Sequence, residues 1–261
     1  MILFLSPRVT PSSALIESAA HRSGWSVNRL SNWRAPEQFV GRTDLVAYGE
    51  PLFVAAMAQS YSLALIEPPF SWLVTLPERY RQRQVSLVEL AEARLLEGPL
   101  FAKPADDKCF SAGVFSSGAE IGASDLLPKD IPVLVSEVVS FVVEYRFFIL
   151  NRTVSAYSVY LRNGIVAEAP LEEDFDDSVE SNNFINILLS DDSVAIPPAV
   201  VIDVGKLHDG TWVIVEANPL FGSGICHCEP DAVLPALARS LVPLNQLTEQ
   251  DKAWVLTRRE F

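Results

Sequence analysis

The stretch "VIDVGKLHDGTWVIVEANPL" (residues 201–220) holds two apolar runs on either side of Asp209-Gly210. An Asp-Gly pair between such runs is a strong two-residue hairpin signal, because both residues accept the positive φ angles of a tight primed turn. Setting that pair at the tip predicts a register in which His208 faces Thr211, Leu207 faces Trp212 and, counting back, Asp203 faces Glu216. Directly opposed Cβ atoms lie roughly 4.5–5.5 Å apart, where like charges repel. A cation between the two carboxylates offsets that repulsion. Asn218, two residues beyond Glu216, projects from the same face and adds a third oxygen donor. Two carboxylates and an amide oxygen converging at a sheet end suit a hard divalent cation, Mg²⁺ or Mn²⁺. The alternative is a longer turn, which slips the register by one and leaves both acids at solvated strand ends.

The composition bounds the function class. At 261 residues, 49% apolar and 20% charged, the chain has the balance of a soluble globular protein with a sizeable core. Its formal net charge of −13 repels a phosphate backbone, which argues against nucleic acid as a partner. Three cysteines (Cys109, Cys226, Cys228) do not make a secreted disulfide framework, so the cytoplasm is expected. "MILFLSPRV" is too short an apolar run for a signal peptide and reads as a buried first strand. The most apolar window, 131–150, is interrupted by Glu137, Glu144 and Arg146, each costly in a bilayer, so no membrane span is expected.

The first third alternates strand and helix. "ILFL" precedes Thr10-Pro11, an N-cap and first-turn pair that predicts a helix to about Arg22; "WSVNRL" follows as a strand. "LVAYGE", a helix over "LFVAAMAQSY" and a strand "LALIEPP" (63–69) repeat the pattern, which predicts a small parallel sheet with helical cover. Residues 68–86 read as a crossing segment, and its Arg79, Arg81 and Arg83 are either a solvated face or anion contacts. A helix is expected over 87–96, then successive strands "PLFAKP", "PVLVSEVVSF", "VEYRFFIL", "TVSAYSVYL" and "GIVAEAP" in an antiparallel sheet. The acidic run 168–180 reads as a solvated loop, a helix is expected near "VESNNFINILLS", and the tail from "DAVLPALARSLVPL" reads as helical.

Other residues carry candidate chemistry. Lys103 ends a strand-like segment before a loop of small residues, where a lysine reaches a phosphate as a point charge; Lys108 shares or replaces it, and a solvated lysine is the plain alternative. Glu137 and Glu144 sit seven residues apart among apolar neighbours, and buried carboxylates need hydrogen-bond donors such as an adenine amino group or a ribose diol. A salt bridge from Glu144 to Arg146 is the alternative. "CHC" at 226–228 lacks the second cysteine pair of a tetrahedral zinc site.

In order, a strand-end Lys, an E-x6-E segment and D-x12-E-x-N around a hairpin resemble the ATP-grasp superfamily, whose members include D-alanine ligase, glutathione synthetase and the ribosomal-protein glutamate ligases. The resemblance covers about residues 68 to 240. The wording of "YGEP", "WLVTLPERYRQR", "FAKPADDK" and "EYRFF" is similar to a compact bacterial and phage branch. The resemblance implies an α+β and α/β chain: a small α/β domain over 1–67, then an ATP-grasp fold over 68–261, whose two subdomains (68–135 and 136–261) grip ATP. It implies that Lys103 binds nucleotide phosphate, that Glu137 with the backbone of Val138 and Val139 forms the adenine hinge, and that Glu144 holds the ribose. Asp203, Glu216 and Asn218 would hold Mg²⁺ (or Mn²⁺) against the β- and γ-phosphates. Many relatives carry an Arg two residues before the Asp, where this chain has Val201, and the Gly-rich flap is replaced by "ADDKCFSAGVF". Arg146, Arg83 and Lys108 are the candidate replacement cations at the reacting phosphoryl. The implied activity is ATP-dependent activation of a small-molecule or peptide carboxylate as an acyl phosphate and its capture by an amine, in a monomer or homodimer. A kinase acting on a hydroxyl, or a nucleotide-binding module without turnover, are the alternatives.

Overall fold

The computed structural model describes residues 1–105, 109–122, 124, 126–169 and 175–256. Strand β1 (Ile2–Leu5) lies between β2 (Ser26–Arg29) and β3 (Leu45–Tyr48), all parallel. Helix α1 (Pro11–Arg22) starts where expected: the Thr10 hydroxyl accepts the Ser13 N–H at 3.1 Å, and the Ser13 hydroxyl accepts the Thr10 N–H at 2.9 Å. Helix α2 (Pro51–Tyr61) follows β3.

The parallel pattern stops there. Strand β4 (Leu63–Leu65), expected to continue it, instead pairs antiparallel with a strand from the chain's far end, Leu241–Pro243. That end was expected to be helical throughout. A proline and the β-branched Val242 close the helix Pro230–Arg239 and favour an extended segment.

Residues 68–86 form two short helices, α3 (Trp72–Thr75) and α4 (Glu78–Arg81), and enter β5 (Val85–Glu89). The helix expected over 87–96 reduces to α5 (Leu90–Ala93), because "VSLVE" pairs residue for residue with β8 (Pro132–Ser136). Strands β6 (Leu100–Pro104) and β7 (Gly113–Phe115) complete a four-stranded sheet in the order β5-β8-β6-β7.

The run of strands expected in one antiparallel sheet is therefore split in two, and the break falls at residues 137–140. Strands β9 (Phe141–Leu150), β10 (Thr153–Arg162), β11 (Ile165–Val166), β12 (Ala199–Leu207) and β13 (Trp212–Asn218) make a second sheet in the order β11-β10-β9-β12-β13. The acidic run read as a loop is partly helical: α6 (Phe175–Ser190) begins inside it, with Asp176 and Asp177 in the first turn, where the helix dipole favours negative charge. Helix α7 (Pro230–Arg239), the strand β14 (Leu241–Pro243) and α8 (Glu249–Lys252) close the chain.

The five-stranded sheet is buried on both faces, so its strands alternate between two cores. Tyr145, Phe147, Ile149, Val200, Ile202 and Val204 face one core; Phe148, Ala199 and Val201 face another, shared with the parallel sheet and α7. The four-stranded sheet has a smaller core of its own, including Leu90, Leu100, Val133 and Val135. Among the described residues no helix is long and apolar enough to cross a membrane.

Candidate active site

The hairpin of β12 and β13 carries the site, and its register is subtler than the turn alone implies. Its loop is one residue longer than an Asp-Gly two-residue turn: Leu207 N–H bonds Thr211 O at 2.8 Å, Lys206 pairs with Trp212, and Gly210 takes the left-handed φ of +88°. The predicted pairing of Leu207 with Trp212 is thus wrong by one. A β-bulge then restores the count. Val204 pairs with Ile214 but Asp203 pairs with Glu216, leaving Val215 as the extra residue. The bulge also reverses the strand's facing: Trp212 and Ile214 pack into the core below, whereas Glu216 and Asn218, of the same parity, turn to the face that carries Asp203.

Arg83 sits on this bulge. Its guanidinium donates to Ile214 O at 2.9 Å and Val215 O at 3.0 Å, on the outer edge of the sheet. Burial, reinforced by the charge of Arg81, lowers its pKa to about 10. Expected as a cation free to meet a phosphoryl group, Arg83 is occupied by backbone instead, although it borders the cleft described below.

Arg146 lies opposite Asp203 in the β9–β12 register. Its Nε and Nη2 donate to the two Asp203 oxygens at 2.8 and 2.7 Å, and Nη1 donates to Gly224 O at 3.2 Å. Its guanidinium centre stands 4.0 Å from the Tyr160 ring centroid. Asp203 is 1% exposed, and its charge raises the Arg146 pKa despite burial, so the pair is held ionised. The expected alternative pairing of Arg146 with Glu144 is not made.

Lys103 reaches Glu216 from the other sheet, ion-pairing with Oε2. Asn218 Nδ2 donates to Glu216 Oε1 at 2.8 Å and stands 3.4 Å from Asp203 Oδ2. Burial works against ionisation of Glu216, but Lys103 and Asn218 outweigh it and hold the pKa down to about 2. Glu144 is different. It is 7% exposed and has no hydrogen-bond partner among the described residues; burial, then the charges of Asp203 and Glu216, push it up to about 7.

These groups end a cleft of about 560 Å³ between the two antiparallel sheets. Phe101, Leu134, Val139, Phe141 and Val215 give it apolar walls, and Lys103, Glu144 and Glu216 charge one end. Gly205 makes room here, since a Cβ on it would lie 2.6 Å from Phe141 Cδ1 and 2.9 Å from Val215 Cγ2. Glu137, expected among apolar neighbours, is exposed at the mouth, where Oε2 accepts the Gln84 N–H at 2.8 Å. Val138 is 45% exposed beside it. Lys108 lies outside the described residues.

At its far side the site meets the parallel sheet. Tyr48 OH donates to Ser223 O at 2.7 Å, and Ile225 N–H donates to Ser12 Oγ at 3.1 Å. The "CHC" residues diverge, as extended neighbours do: the buried Cys228 thiol is within 3.4 Å of Ser158 Oγ, and His227 Nε2 within 2.9 Å of Ala167 O.

The donor set of Asp203, Glu216 and Asn218 fits a hard divalent cation. All three lie on one face within hydrogen-bond reach of each other, and a half-turn of the Asn218 amide exchanges Nδ2 for Oδ1. No group of three or more His, Cys, Asp or Glu among the described residues is arranged for a metal, and this set differs in using two carboxylates and an amide.

Comparison with solved structures gives broad matches at low identity. The D-cycloserine synthetase DcsG is 15% identical, with 91% of this chain and 99% of that one covered and a TM-score of 0.55. The D-alanine–D-alanine ligase of Bacillus anthracis is 9% identical (92% and 97% covered, TM-score 0.54), and the L-amino acid ligase of Bacillus licheniformis 12% identical (95% and 77%, TM-score 0.54). No curated protein matches the sequence. A family model of the ATP-grasp domain, the second family of its clade, matches residues 80–236, more than half of the chain and inclusive of both antiparallel sheets and every site residue named above except those of the parallel-sheet unit. The chain belongs to that family and has the ATP-grasp fold.

Proposed function

We propose that the chain is an ATP- and Mg²⁺-dependent ligase that activates a carboxylate as an acyl phosphate and joins it to an amine, releasing ADP and phosphate. The observation that carries this reading is the meeting, at one end of an apolar cleft, of Lys103 from one sheet with Asp203, Glu216 and Asn218 from the other. The adenine would lie against Leu134, Val139 and Phe141, with the backbone of 137–139 as its hydrogen-bonding hinge and Glu144 toward the ribose. Lys103 would neutralise the polyphosphate, and Asp203, Glu216 and Asn218 would hold Mg²⁺. When bound, that ion supplies charge neutralisation and alignment of the phosphates. Arg146 is the cation best placed for the role that Val201 leaves open, since Val201 is buried in the core and Arg146 sits one strand away, against Asp203. The carboxylate and amine would be an amino acid or peptide, as the names of the D-alanine–D-alanine and L-amino acid ligases suggest by analogy of fold.

Calorimetric titration of ATP and ADP with Mg²⁺ into wild type and an Asp203→Asn, Glu216→Gln double variant tests the site. Mg²⁺-dependent binding that weakens at least tenfold in the variant, about 1.4 kcal/mol, is expected. Absence of nucleotide binding by the wild type would refute the proposal. Pairs of amino acids are then screened for amide product and ADP; ADP formed with a phosphorylated hydroxyl and no amide would mark a kinase instead.

A further inference from the structure

We propose that Lys103 keeps the carboxylates of this site closed to a free divalent cation, so that a metal enters only together with a polyphosphate. The inference rests on the reading of Asp203, Glu216 and Asn218 as the set that faces the metal.

Charge and occupancy both point to it. Asp203 and Glu216 carry two negative charges, and Lys103 and Arg146 two positive ones, so the cluster is neutral as it stands. Each carboxylate oxygen already has a donor. Arg146 holds both oxygens of Asp203; Lys103 holds Glu216 Oε2 and Asn218 holds Oε1. A bare divalent cation would have to displace one of these donors and would leave the cluster with two uncompensated positive charges in a largely buried site, which is strongly unfavourable. A polyphosphate reverses the balance. It brings several negative charges into the same cleft that Lys103 lines, and gives its ammonium a new partner.

Lys103, rather than Arg146, is the group that moves. The Arg146 fork is fixed by Asp203, Gly224 O and the Tyr160 ring. Lys103 has a flexible four-carbon stem, and among the described residues its ammonium has a single partner, Glu216. Turning that ammonium toward a phosphate releases Glu216 Oε2 to a cation arriving on the same phosphate. Lys103 thereby couples the two ligands: each makes room for the other.

The test is Mn²⁺ alone, with bound and free ion counted by electron paramagnetic resonance, on wild type, Lys103→Gln and Lys103→Arg without nucleotide. Lys103→Gln is expected to bind Mn²⁺ at least tenfold more tightly than wild type, Lys103→Arg to resemble wild type, and Glu216→Gln added to Lys103→Gln to erase the gain. Wild type binding Mn²⁺ as tightly as Lys103→Gln would overturn the proposal. Lys103→Gln leaves Glu216 without its cation, so its fold is followed by circular dichroism. The wild type also decides independently: retention of Mn²⁺ by the chain must rise when a non-hydrolysable ATP analogue is added, and equal retention without it would overturn the proposal whatever the variants do. The gain in Lys103→Gln needs no nucleotide, so a chain that shows it but binds no ATP would refute the ligase reading and still support Lys103 as the guard of Glu216.

Discussion

Glu144 and Glu216 lie on neighbouring parts of one cleft and have opposite electrostatics. The difference is a partner: Glu216 has Lys103 and Asn218, whereas Glu144 has only burial and like charges. A carboxyl whose folded pKa lies above its unfolded value binds more protons folded than unfolded between the two, so stability falls as pH rises through that window. For Glu144 the window runs from 4.5 to about 7. The shift corresponds to something on the order of 3 kcal/mol at full ionisation. Glu144→Gln should therefore leave stability near its wild-type value at the acid end of the window and raise it above pH 7, flattening the slope in urea midpoints; an unchanged slope would show that Glu144 is solvated. This residue also marks how far the letters reach. Asp203 opposite Glu216, and Asn218 on their face, follow from counting along one hairpin, because those positions are local in sequence. The partners of the same residues are not local. Arg146 meets Asp203 only because β9 pairs with β12 across more than fifty residues, and Lys103 meets Glu216 only because two sheets face each other.

Among the elements, the bulged strand β13 decides the site. A straight strand would keep positions 212, 214, 216 and 218 on one face, and Glu216 and Asn218 would then point into the core that takes Trp212 and Ile214. The bulge at Val215 turns them over, and Arg83 stabilises it by bonding two carbonyls on an edge strand. Removing a donor from buried carbonyls costs about 1–3 kcal/mol for each. Arg83→Leu is expected to lower unfolding stability by roughly 2–4 kcal/mol. It should also weaken Mg²⁺-dependent nucleotide binding, with Lys at this position rescuing poorly because one ammonium lacks the fork. Full retention of both properties would mean that the bulge holds without Arg83. The capped helix α1 was readable from Thr10-Pro11, a signal contained within its own first turn. The helix expected over 87–96 was not, since "VSLVEL" fits either periodicity and only its neighbour β8 makes it a strand. The same holds for β4, which left the parallel sheet for a partner strand near the other end of the chain.

At the scale of the whole molecule, three cores of unequal size share the chain. The parallel sheet, α7 and one face of the five-stranded sheet form a single core, so residues 1–67 are tied to the rest through Phe148, Ala199, Val201 and the β4–β14 pair. The four-stranded sheet, which carries Lys103, rests on a smaller cluster of its own. Less buried apolar area means a smaller free energy of local opening, so the smaller cluster is expected to open without global unfolding. Amide hydrogens of β6 and β8 should exchange faster than those of β9 and β12 in the free protein. A nucleotide in the cleft touches both sheets and should slow β6 and β8 selectively, because ligand binding stabilises only the closed form. Val133→Ala separates the two units further. Val133 is fully buried in the small cluster, and truncating it should speed exchange in β6 and β8 and weaken nucleotide binding while leaving β9 and β12 close to wild type. Uniformly faster exchange in all four strands would show instead that the lobes unfold as one, and that the cleft is not opened by the smaller lobe.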